Sequence, residues 1–599
     1  MAAAPQVGGL ADTVFAYAQE DPHRTALGRK DAEGHWYDVS AAAFRDEVLA
    51  LAKGLIAQGV RFGDRVALMS RTRYEWTLFD FALWAVGAQS VPVYPTSSAE
   101  QVLWMLHDAE VAAVMVEHED HAMTIGSVID RLPNLRRLWQ LDADAVSELV
   151  EAGTGIDDEV VHRHRRAVTP DSVATVIYTS GTTGRPKGCV ITHANFMFEA
   201  DTMVGRWRPV FLSKPGEEAA TLLFLPLAHV FGRMVEIAAL RGRVKLAHQP
   251  ELSAKALMPD LLSFRPTFIL AVPYIFEKVF NGARRKAESE GRAGAFDKAV
   301  EVAVKYAEAL EERAFGTGPG PSAGLRMQHQ FFDKVVYRKV REAMGGRVRH
   351  AMSGGSGMAR RLGLFFAGAG VTVFEGYGLT ETTAAAAANP PERPRYGTVG
   401  QPIPGSAVHI ARDGEIWVHG ANVFSGYLGD PKSTDAVLHD GWLATGDIGA
   451  LDEDGYLTIT GRKKEILVTS GGKSVAPSGL EERVRAHPLV AQCLAVGNDR
   501  PYIAALVTVD HEAVEHWLAM QGRAPLPPTE LVRDPDLEME VRRAVVAANT
   551  AVSQAESIRT FRILAHQFTE EHGLLTPSLK LKRKAIESAY SAEVDALYR

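Results

Sequence analysis

The chain has 599 residues, with 65 Lys and Arg against 73 Asp and Glu, so its formal net charge is −8. This length excludes a single small binding module, and the acidic balance gives no electrostatic reason to expect nucleic acid as a main partner. Hydrophobic residues at 46% and charged residues at 23% are ordinary for a globular protein, which excludes a fibrous or wholly disordered chain.

Two cysteines, Cys189 and Cys493, are too few for a disulfide framework and indicate a reducing compartment. The N-terminal residues lack the basic and apolar regions of a secretory signal, and no segment is apolar enough for a transmembrane helix. We therefore expect a cytoplasmic protein. No basic amphipathic helix stands out, so contact with a membrane surface is left open, as is a homodimer.

Helical and strand patterns alternate over residues 1–150. Helices are predicted over 41–58, 76–87 and 101–108, and strands over 64–70, 90–94 and 111–116. Such alternation is typical of a layered α/β domain whose parallel strands are joined by crossover helices. Two histidine-containing runs, 117–121 and 162–166, are interpreted as a polar loop and a solvated linker, and neither as a metal or nucleic-acid site.

The second half of the chain changes character twice. A charged, helix-favouring insertion covers about 281–345, and short alternating strands predict a small β-rich subdomain over about 400–460. The chain then restarts with a helix at 479–487, strands at 491–497 and 503–509, and a long helix at 535–556. We expect a large N-terminal domain, 1–462, and a smaller α+β C-terminal domain, 463–599, with the boundary at 461–465.

A predicted strand, 172–178, leads into the loop Thr179-Ser-Gly-Thr-Thr-Gly-Arg-Pro-Lys-Gly188. Backbone N–H groups and hydroxyl groups of such a loop can converge on phosphate oxygens while Lys187 adds positive charge. The loop is not a Walker A motif, because Lys187 lies between Pro186 and Gly188. The predicted polyphosphate contacts are Thr179, Ser180, Gly181, Thr182, Thr183, Gly184 and Lys187.

This loop resembles the phosphate loop of the adenylate-forming (AMP-binding) superfamily, and four further motifs follow in that superfamily's order. They are Glu375-Gly-Tyr-Gly-Leu-Thr-Glu381 for adenine, Gly441-Trp-Leu-Ala-Thr-Gly-Asp447 for ribose, Gly461-Arg-Lys-Lys464 for the hinge, and Leu579-Lys-Leu-Lys-Arg583 for the catalytic lysine. The segments 225–233, 440–449, 461–467 and 471–477 look like the long-chain fatty acyl-CoA synthetase branch.

The motifs also have a physical interpretation. The Tyr377 ring can stack on adenine between glycines that let a base approach, and Asp447 can accept both ribose hydroxyls while Arg462 reaches ribose or phosphate. A carboxylate beside a triphosphate, as at Glu381, needs a hard cation between them, which predicts Mg²⁺ there with Thr183 as a secondary ligand. Thr380 would bind the α-phosphate.

The resemblance implies the remaining roles. Lys580 would stabilise the charge of the first half-reaction, with Lys187, Thr380 and Glu381 as the other catalytic residues, and Lys464 would be the hinge. Nucleotide contacts are also implied for Gly354, Gly355, Ser356, Glu375, Gly376, Tyr377, Gly378, Asp447, Arg462 and Lys580, and acyl-pocket contacts for His229, Val230, Gly355 and Tyr377.

The implied reaction is ATP-dependent activation of a long-chain fatty acid to acyl-AMP, with release of pyrophosphate, followed by transfer to coenzyme A. ATP, Mg²⁺ and coenzyme A are thus the expected cofactor and co-substrates. Two alternatives stay open: a fatty acyl-AMP ligase that loads a carrier protein, and a nucleotide-binding protein without ligase activity. Leu379 and Ser578 depart from residues frequent in the branch, which leaves the choice of substrate open.

Overall fold

A computed structural model of the chain describes residues 7–179, 185–211, 216–576 and 579–599. Its first stretch contains helices α1 (Asp12–Glu20), α2 (Ala41–Ala57), α3 (Tyr74–Val86), α4 (Ala99–Asp108), α5 (Glu119–Gly126), α6 (Ala145–Ala152) and α7 (Asp158–Ala167). The strands there are β1 (Thr25–Lys30), β2 (Trp36–Ser40), β3 (Arg65–Met69), β4 (Gln89–Val93), β5 (Ala113–Val116), β6 (Arg137–Gln140) and β7 (Val173–Thr179). β3 pairs in parallel with β4 and with β5, as the alternation predicts.

The middle stretch continues the layering and then becomes helical. It contains β8 (Lys187–Thr192), α8 (His193–Phe211), β9 (Ala220–Leu223), α9 (Val230–Arg241), β10 (Lys245–His248), α10 (Ala254–Phe264), β11 (Phe268–Ala271), α11 (Pro273–Ser289), α12 (Ala293–Ala314), α13 (Ala323–Phe332), α14 (Arg338–Ala343), β12 (His350–Ser353), α15 (Arg360–Gly368), β13 (Thr372–Tyr377), β14 (Ala387–Ala388) and β15 (Gln401–Pro402). A π-helical turn, Asp333–Tyr337, joins α13 to α14.

The last stretch begins with short strands. This part contains β16 (Ser406–Ile410), β17 (Glu415–Gly420), β18 (Gly426–Tyr427), the short helix α16 (Pro431–Asp435), β19 (Leu438–His439), the longer β20 (Trp442–Leu451) and β21 (Leu457–Arg462). The C-terminal elements are β22 (Leu467–Val468), β23 (Ser474–Val475), α17 (Pro477–Arg485), β24 (Val490–Val496), β25 (Ile503–Val509), α18 (His511–Met520), α19 (Pro528–Leu531), α20 (Pro535–Asn549), β26 (Ile558–Leu564), α21 (Arg583–Ala589) and α22 (Ser591–Ala596).

The strands form several sheets. A seven-stranded sheet has the order β18-β8-β7-β4-β3-β5-β6, and a four-stranded sheet has the order β2-β1-β10-β9. The largest apolar cluster draws on both of these sheets and on α2, α3, α8 and α9, so these helices fill the space between the sheets. A third sheet, β11-β12-β13-β14-β15, carries the adenine motif, and β20 with β21 belongs to a fourth. The C-terminal sheet is β24-β25-β26.

The most apolar segment of the chain is a buried helix that leads into a strand. Twelve of the 13 residues of α3 are buried, which explains why its sequence lacks a polar face. Asp80, at the middle of α3, is fully buried and pairs with the equally buried Arg233 at 2.7 Å. Within the described residues, no helix is both long and apolar enough to cross a bilayer.

Three local predictions are wrong. Residues 162–166 belong to helix α7 rather than to a linker, and the predicted loop 117–121 leads into α5, with Glu117 buried and paired with Arg71 at 2.7 Å. The predicted helix 535–556 ends at Asn549, whose side chain bonds both the N–H and the C=O of Ile558 at 2.9 Å. This contact turns the chain back toward β26. Residues 550–557 contain no glycine or proline, so the sequence has no local signal for the end of the helix.

Charged side chains of α11 lie against the C-terminal elements. Lys278 Nζ is 3.0 Å from Asp510, and His516 Nε2 is 3.2 Å from Glu288. Two longer ion pairs join the same surfaces, Glu277 with Arg485 at 3.8 Å and Arg285 with Glu512 at 3.9 Å. This contact brings the C-terminal sheet over the N-terminal layers and encloses the cleft between them.

Candidate active site

One large cleft, about 2220 Å³ in volume, lies between the N-terminal layers and the C-terminal elements. Every candidate site residue that the structure describes lines it: Thr179, Lys187, His229, Val230, Gly354, Gly355, Ser356, Glu375, Gly376, Tyr377, Gly378, Thr380, Glu381, Asp447, Arg462, Lys464 and Lys580. The candidates Ser180, Gly181, Thr182, Thr183 and Gly184 lie outside the described residues. Motifs spread over 400 residues of sequence thus meet at one place.

The phosphate motif is held by a β-hairpin. Strands β7 and β8 pair antiparallel with Thr179 opposite Lys187, so both residues stand at the end of the hairpin where the two strands are connected. Lys187 Nζ donates to Ser433 Oγ at 2.7 Å and lies 4.9 Å from the centre of the Tyr427 ring. The lysine is exposed toward the cleft, which leaves its charge available to an anion.

Tyr427 connects this lysine to the predicted metal ligand, and sequence reasoning missed it. Its hydroxyl donates to Glu381 Oε1 at 2.8 Å, and the tyrosine is placed there because β18 pairs with β8 opposite Cys189. Burial and the neighbouring Glu381 charge raise the pKa of Tyr427 well above its usual range. Ser433 was missed as well; neither residue stands in a recognisable motif.

The adenine and ribose motifs share a hydrogen-bond network. The Tyr377 hydroxyl donates to Asp447 Oδ2 at 2.7 Å, and Arg462 Nε lies 2.9 Å from Asp447 Oδ1. Asp447 and Arg462 are direct partners in the antiparallel pair β20–β21, so the strand register sets their contact. Burial raises the pKa of the Asp447 carboxyl, although the charge of Arg462 and the Tyr377 hydrogen bond act in the opposite direction.

The two glycines of the adenine motif are required for different physical reasons. A Cβ on Gly378 would lie 1.5 Å from the carbonyl oxygen of Ala384, so the chain's own packing requires this glycine. A Cβ on Gly376 would meet nothing closer than 3.4 Å, which leaves base approach as the explanation there. Room for a base therefore stays a prediction at both glycines, and at Gly378 packing is an additional reason for glycine.

Glu375 supports the neighbouring glycine loop. Its carboxylate accepts hydrogen bonds from the backbone N–H groups of Met358 at 3.3 Å and Gly397 at 3.4 Å. Burial raises the pKa of Glu375 to about 8. Gly355, in the loop that Glu375 holds, has a φ of +86°, a conformation that favours glycine. The Glu375 side chain thus positions the loop's backbone, and the direct nucleotide contact that the resemblance implies stays a prediction.

Lys580 is carried into the cleft by a C-terminal turn. Thr576 N–H donates to the Lys580 carbonyl at 2.8 Å, and the N–H of Lys580 donates to Thr576 Oγ1 at 3.0 Å. Leu579 and Lys580 lie against His229 and Gly355 of the N-terminal part, around a small cavity. Although its side chain is open to water, enclosure by the cleft and the Arg462 charge lower the pKa of Lys580.

His229 begins the apolar arm of the cleft. It caps α9, its Nδ1 accepting the N–H of Phe231 at 3.2 Å, while burial and the Lys580 charge lower its pKa to about 3. The imidazole is therefore neutral near pH 7. Beyond it the cleft is lined mainly by apolar side chains, including Met203, Phe211, Met234, Val235, Ala238, Phe268, Leu270 and Met352.

The hinge candidate lies beside the ribose motif. Lys464 is in a 3₁₀ turn, Lys463–Glu465, that follows β21 directly. Lys463 Nζ bonds Asp413 at 2.6 Å and Glu415 at 3.0 Å, whereas Glu465 lies 3.3 Å from Arg583 of the C-terminal part. The exposed Lys464 stands between one residue tied to the β-rich sheet and another tied to the C-terminal elements.

Cation-binding groups near Glu381 are few. Glu381 Oε2 accepts no hydrogen bond from the described residues, and these contain no cluster of three or more His, Cys, Asp or Glu side chains suited to a metal. Mg²⁺ commonly uses one or two carboxylates together with substrate phosphates and water. The donor set fits such a nucleotide-borne ion and does not fit a metal held by protein alone.

The model of the AMP-binding enzyme family matches residues 14–428, and that of the AMP-binding enzyme C-terminal domain matches residues 464–599. The chain belongs to the AMP-binding enzyme family, with a mixed α/β fold of adenylate-forming type.

The chain is 44% identical over 593 residues to the long-chain-fatty-acid–CoA ligase FadD15 of Mycobacterium bovis, covering 98% of this chain and 97% of the relative. It is 28% identical to human long-chain-fatty-acid–CoA ligase 1, covering 95% and 83%. ATP-bound MatB of Rhodopseudomonas palustris shares the fold, with a TM-score of 0.70 at 21% identity, covering 97% of this chain and 98% of that one.

Proposed function

We propose that this protein activates a long-chain fatty acid with ATP, forming acyl-AMP and pyrophosphate, and then transfers the acyl group to coenzyme A with release of AMP. One observation supports the proposal: Lys580 and His229 line a cleft that the polar residues of the nucleotide motifs share with a set of apolar side chains. The 44% identity with a long-chain-fatty-acid–CoA ligase over 98% of the chain supports the substrate class.

In the first step, a carboxylate oxygen of the fatty acid attacks the α-phosphorus of ATP and pyrophosphate leaves. Tyr377, Asp447 and Arg462 hold the adenosine, with Asp447 accepting the ribose hydroxyls. Lys187 and Thr380 contact the phosphates. Lys580 stabilises the charge that accumulates at the α-phosphate, and its lowered pKa reflects the enclosed, positively charged position that such a role requires.

Glu381 would hold Mg²⁺ through its free oxygen, with Tyr427 fixing the other oxygen. The ion supplies neutralisation of the phosphate charges when the nucleotide is bound. The neutral His229 adds no charge at the entrance of the apolar arm, which suits the passage of an alkyl chain. The charge that faces the carboxylate of the fatty acid is then that of Lys580.

In the second step, the thiolate of coenzyme A attacks the acyl carbonyl and AMP leaves. Access to that carbonyl requires Lys580 to withdraw, and we propose rotation about Lys464, with the domain boundary between residues 462 and 463. A carrier-protein thiol remains the alternative acceptor. The buried, unbridged Cys189 and Cys493 support a reducing compartment.

The experiment measures pyrophosphate release by the purified protein with ATP, Mg²⁺ and fatty acids of increasing chain length, with and without coenzyme A, and identifies products by mass spectrometry. A coenzyme A thioester is the expected product. Accumulation of acyl-AMP without thioester would favour a carrier protein, and absence of pyrophosphate for every chain length would refute the proposal.

A matched pair of variants tests the lysine. Lys580→Ala should lower the rate of adenylation by a factor of about 10²–10³, the usual effect of removing a stabilising charge. Lys584→Ala, an exposed lysine on α21 that does not line the cleft, should leave that rate unchanged. Near-normal adenylation by Lys580→Ala would refute its role.

A further inference from the structure

A buried carboxyl group lies in the wall of the apolar arm. Glu199 is on α8, one helical turn before Met203, and both residues line the cleft. The Glu199 side chain is fully buried, and its Oε1 accepts the backbone N–H of Ala385. The next residue, Ala386, donates its N–H to the carbonyl of Tyr377 at 2.7 Å, so Glu199 lies at the nucleotide end of the arm. Its Oε2 has no hydrogen-bond partner among the described residues.

The carboxyl group of Glu199 is not neutralised by a neighbouring cation in the part of the chain that the structure describes. Asp80 and Glu117 are also buried, but each of them pairs with an arginine at 2.7 Å. Burial raises the pKa of Glu199 well above its usual range, and only the hydrogen bond from Ala385 acts in the opposite direction. The neutral acid is therefore favoured, and a neutral carboxyl group offers an O–H donor as well as an acceptor.

A second unpartnered polar atom belongs to the same arm. Thr221, on β9, lines the cleft and is 1% exposed, and its Oγ1 has no hydrogen-bond partner within the described residues. Leu223, two residues further along the strand and therefore on the same face, packs in the apolar cluster that also contains Phe268 of the arm. Because buried polar atoms are normally paired, two unpaired ones on a single cavity indicate a partner that enters the cavity.

Glu199 and Thr221 lie at different depths of the arm. Phe211, the last residue of α8, is about 18 Å from Glu199 along the helix axis. The Phe211 carbonyl accepts the Thr267 hydroxyl at 3.0 Å, and the same hydroxyl oxygen accepts the N–H of Ala220 at 3.0 Å. Since Ala220 directly precedes Thr221, this threonine lies near the far end of α8, away from the nucleotide.

A plain alkyl chain is a poor partner for these two polar atoms. It displaces water from the arm and offers neither a donor nor an acceptor, so both atoms stay unpaired. A substrate group that pairs with such an atom gains about tenfold or more in binding over an analogue that lacks the group. A hydroxyl group suits both residues, because it accepts a hydrogen bond from a neutral acid and also exchanges one with a threonine hydroxyl.

We propose that the apolar arm selects long-chain fatty acids that carry a hydroxyl group on the chain, and that Glu199 and Thr221 are the residues that pair with it. Glu199 recognises a hydroxyl in the half of the chain nearer the carboxyl group, and Thr221 recognises one nearer the methyl end. The apolar side chains between them bury the remaining methylene groups. This inference rests on the proposed activation of a fatty acid and narrows its substrate class.

The test compares palmitic acid with hydroxypalmitic acids that carry the hydroxyl at successive positions along the chain. The full-length protein is supplied with ATP and Mg²⁺, and kcat/KM for pyrophosphate release is measured with each acid. We expect at least one position in each half of the chain to give a kcat/KM about tenfold higher than that of palmitic acid. The ratio of the two values is the measured preference.

Substitutions assign the preference to the two residues. Glu199→Met should lower the preference about tenfold at the position nearer the carboxyl group, whereas Glu199→Gln, which keeps an oxygen for the Ala385 N–H and adds an amide donor, should retain most of it. Thr221→Val should lower the preference only at the position nearer the methyl end. Thr202→Val makes the same exchange at a buried position of α8 that does not line the cleft, and it should leave every ratio unchanged.

The outcomes separate this inference from the proposed function. Pyrophosphate release with palmitic acid but no preference at any hydroxyl position would overturn the inference alone. So would a preference that survives both Glu199→Met and Thr221→Val. Absence of pyrophosphate with every acid would refute the proposed function as well. Circular dichroism checks the fold of each variant, and Thr221→Val, which removes no hydrogen bond within the described residues, decides the matter if Glu199→Met does not fold.

Discussion

The contact between α11 and the C-terminal elements predicts a selective effect on the first half-reaction. Lys278 and Asp510 are 3.0 Å apart and only 26% and 17% exposed. At an effective dielectric constant of about 20, the direct attraction at this distance is about 5 kcal/mol. Desolvation and side-chain ordering reduce it to a net value of about 1–2 kcal/mol. Lys278→Glu replaces this attraction by repulsion, so the closed arrangement should lose about 2–3 kcal/mol.

Since about 1.4 kcal/mol corresponds to a factor of ten, the closed arrangement should become roughly 30- to 140-fold less populated relative to the rotated one. In the proposed mechanism Lys580 acts in the cleft only in the closed arrangement, so isotope exchange between pyrophosphate and ATP should slow. Thioester formation from supplied acyl-AMP and coenzyme A should not slow, because it does not need this contact. The two rates are measured separately on the same preparation.

Two controls isolate the charge. Lys286→Glu makes the same change at an exposed position of α11 that has no ion pair within the described residues, and it should leave both rates unchanged. Asp510 also caps α18 by accepting the Ala513 N–H at 3.1 Å, so Asp510→Asn removes the charge but keeps the cap. Lys278→Glu with Asp510→Asn should therefore recover only the part lost to repulsion, about 1 kcal/mol or roughly fivefold in the exchange rate. Equal slowing of both half-reactions by Lys278→Glu would refute the reasoning.

Three further predictions concern the cleft. Asp447→Asn removes the charged acceptor of the ribose motif and should weaken AMP binding by about 1.5–3 kcal/mol, roughly 10- to 100-fold by calorimetry; an unchanged affinity would exclude the ribose contact. Burial raises the pKa of Glu375 from 4.5 to about 8, so its contribution to stability is fully present below the lower value and is lost as pH rises through the higher one. Glu375→Gln, which cannot ionise, should therefore show a smaller fall in melting temperature between about pH 5 and pH 8.5 than the parent protein. Gly378→Ala places a Cβ 1.5 Å from the Ala384 carbonyl oxygen and should prevent stable folding, whereas Gly376→Ala, with its nearest neighbour at 3.4 Å, should fold, as thermal melts of the two would show.

The helices and strands that hold the site residues could be predicted from the sequence patterns. The strand before Thr179 and the alternation that predicts parallel pairing are local signals, since hydrophobic period and glycine placement lie within a few residues. Motifs placed at strand ends then meet at one edge of the layers, as Thr179 and Tyr377 do at the ends of β7 and β13.

Contacts between residues that are far apart in the sequence could not be predicted from it. Tyr427 meets Glu381 because β18 adds to the edge of the seven-stranded sheet, and a two-residue strand has no hydrophobic period to reveal it. The end of α20 depends on Asn549 bonding Ile558, nine residues further on, which propensity alone does not encode.

The ribose motif and the lysine turn are linked through a short stretch of chain. Asp447 holds Arg462 at the last position of β21, and the next three residues form the turn whose Glu465 pairs with Arg583. Arg583 begins α21, three residues after Lys580. In the proposed reaction, a nucleotide that contacts Asp447 and Arg462 therefore acts on β21, the strand that directly precedes the C-terminal elements. Because the Arg462 charge also lowers the pKa of Lys580, moving the turn changes both the position of this lysine and the field around it. In the proposed reaction, these direct contacts would couple the nucleotide site to the orientation of the C-terminal elements.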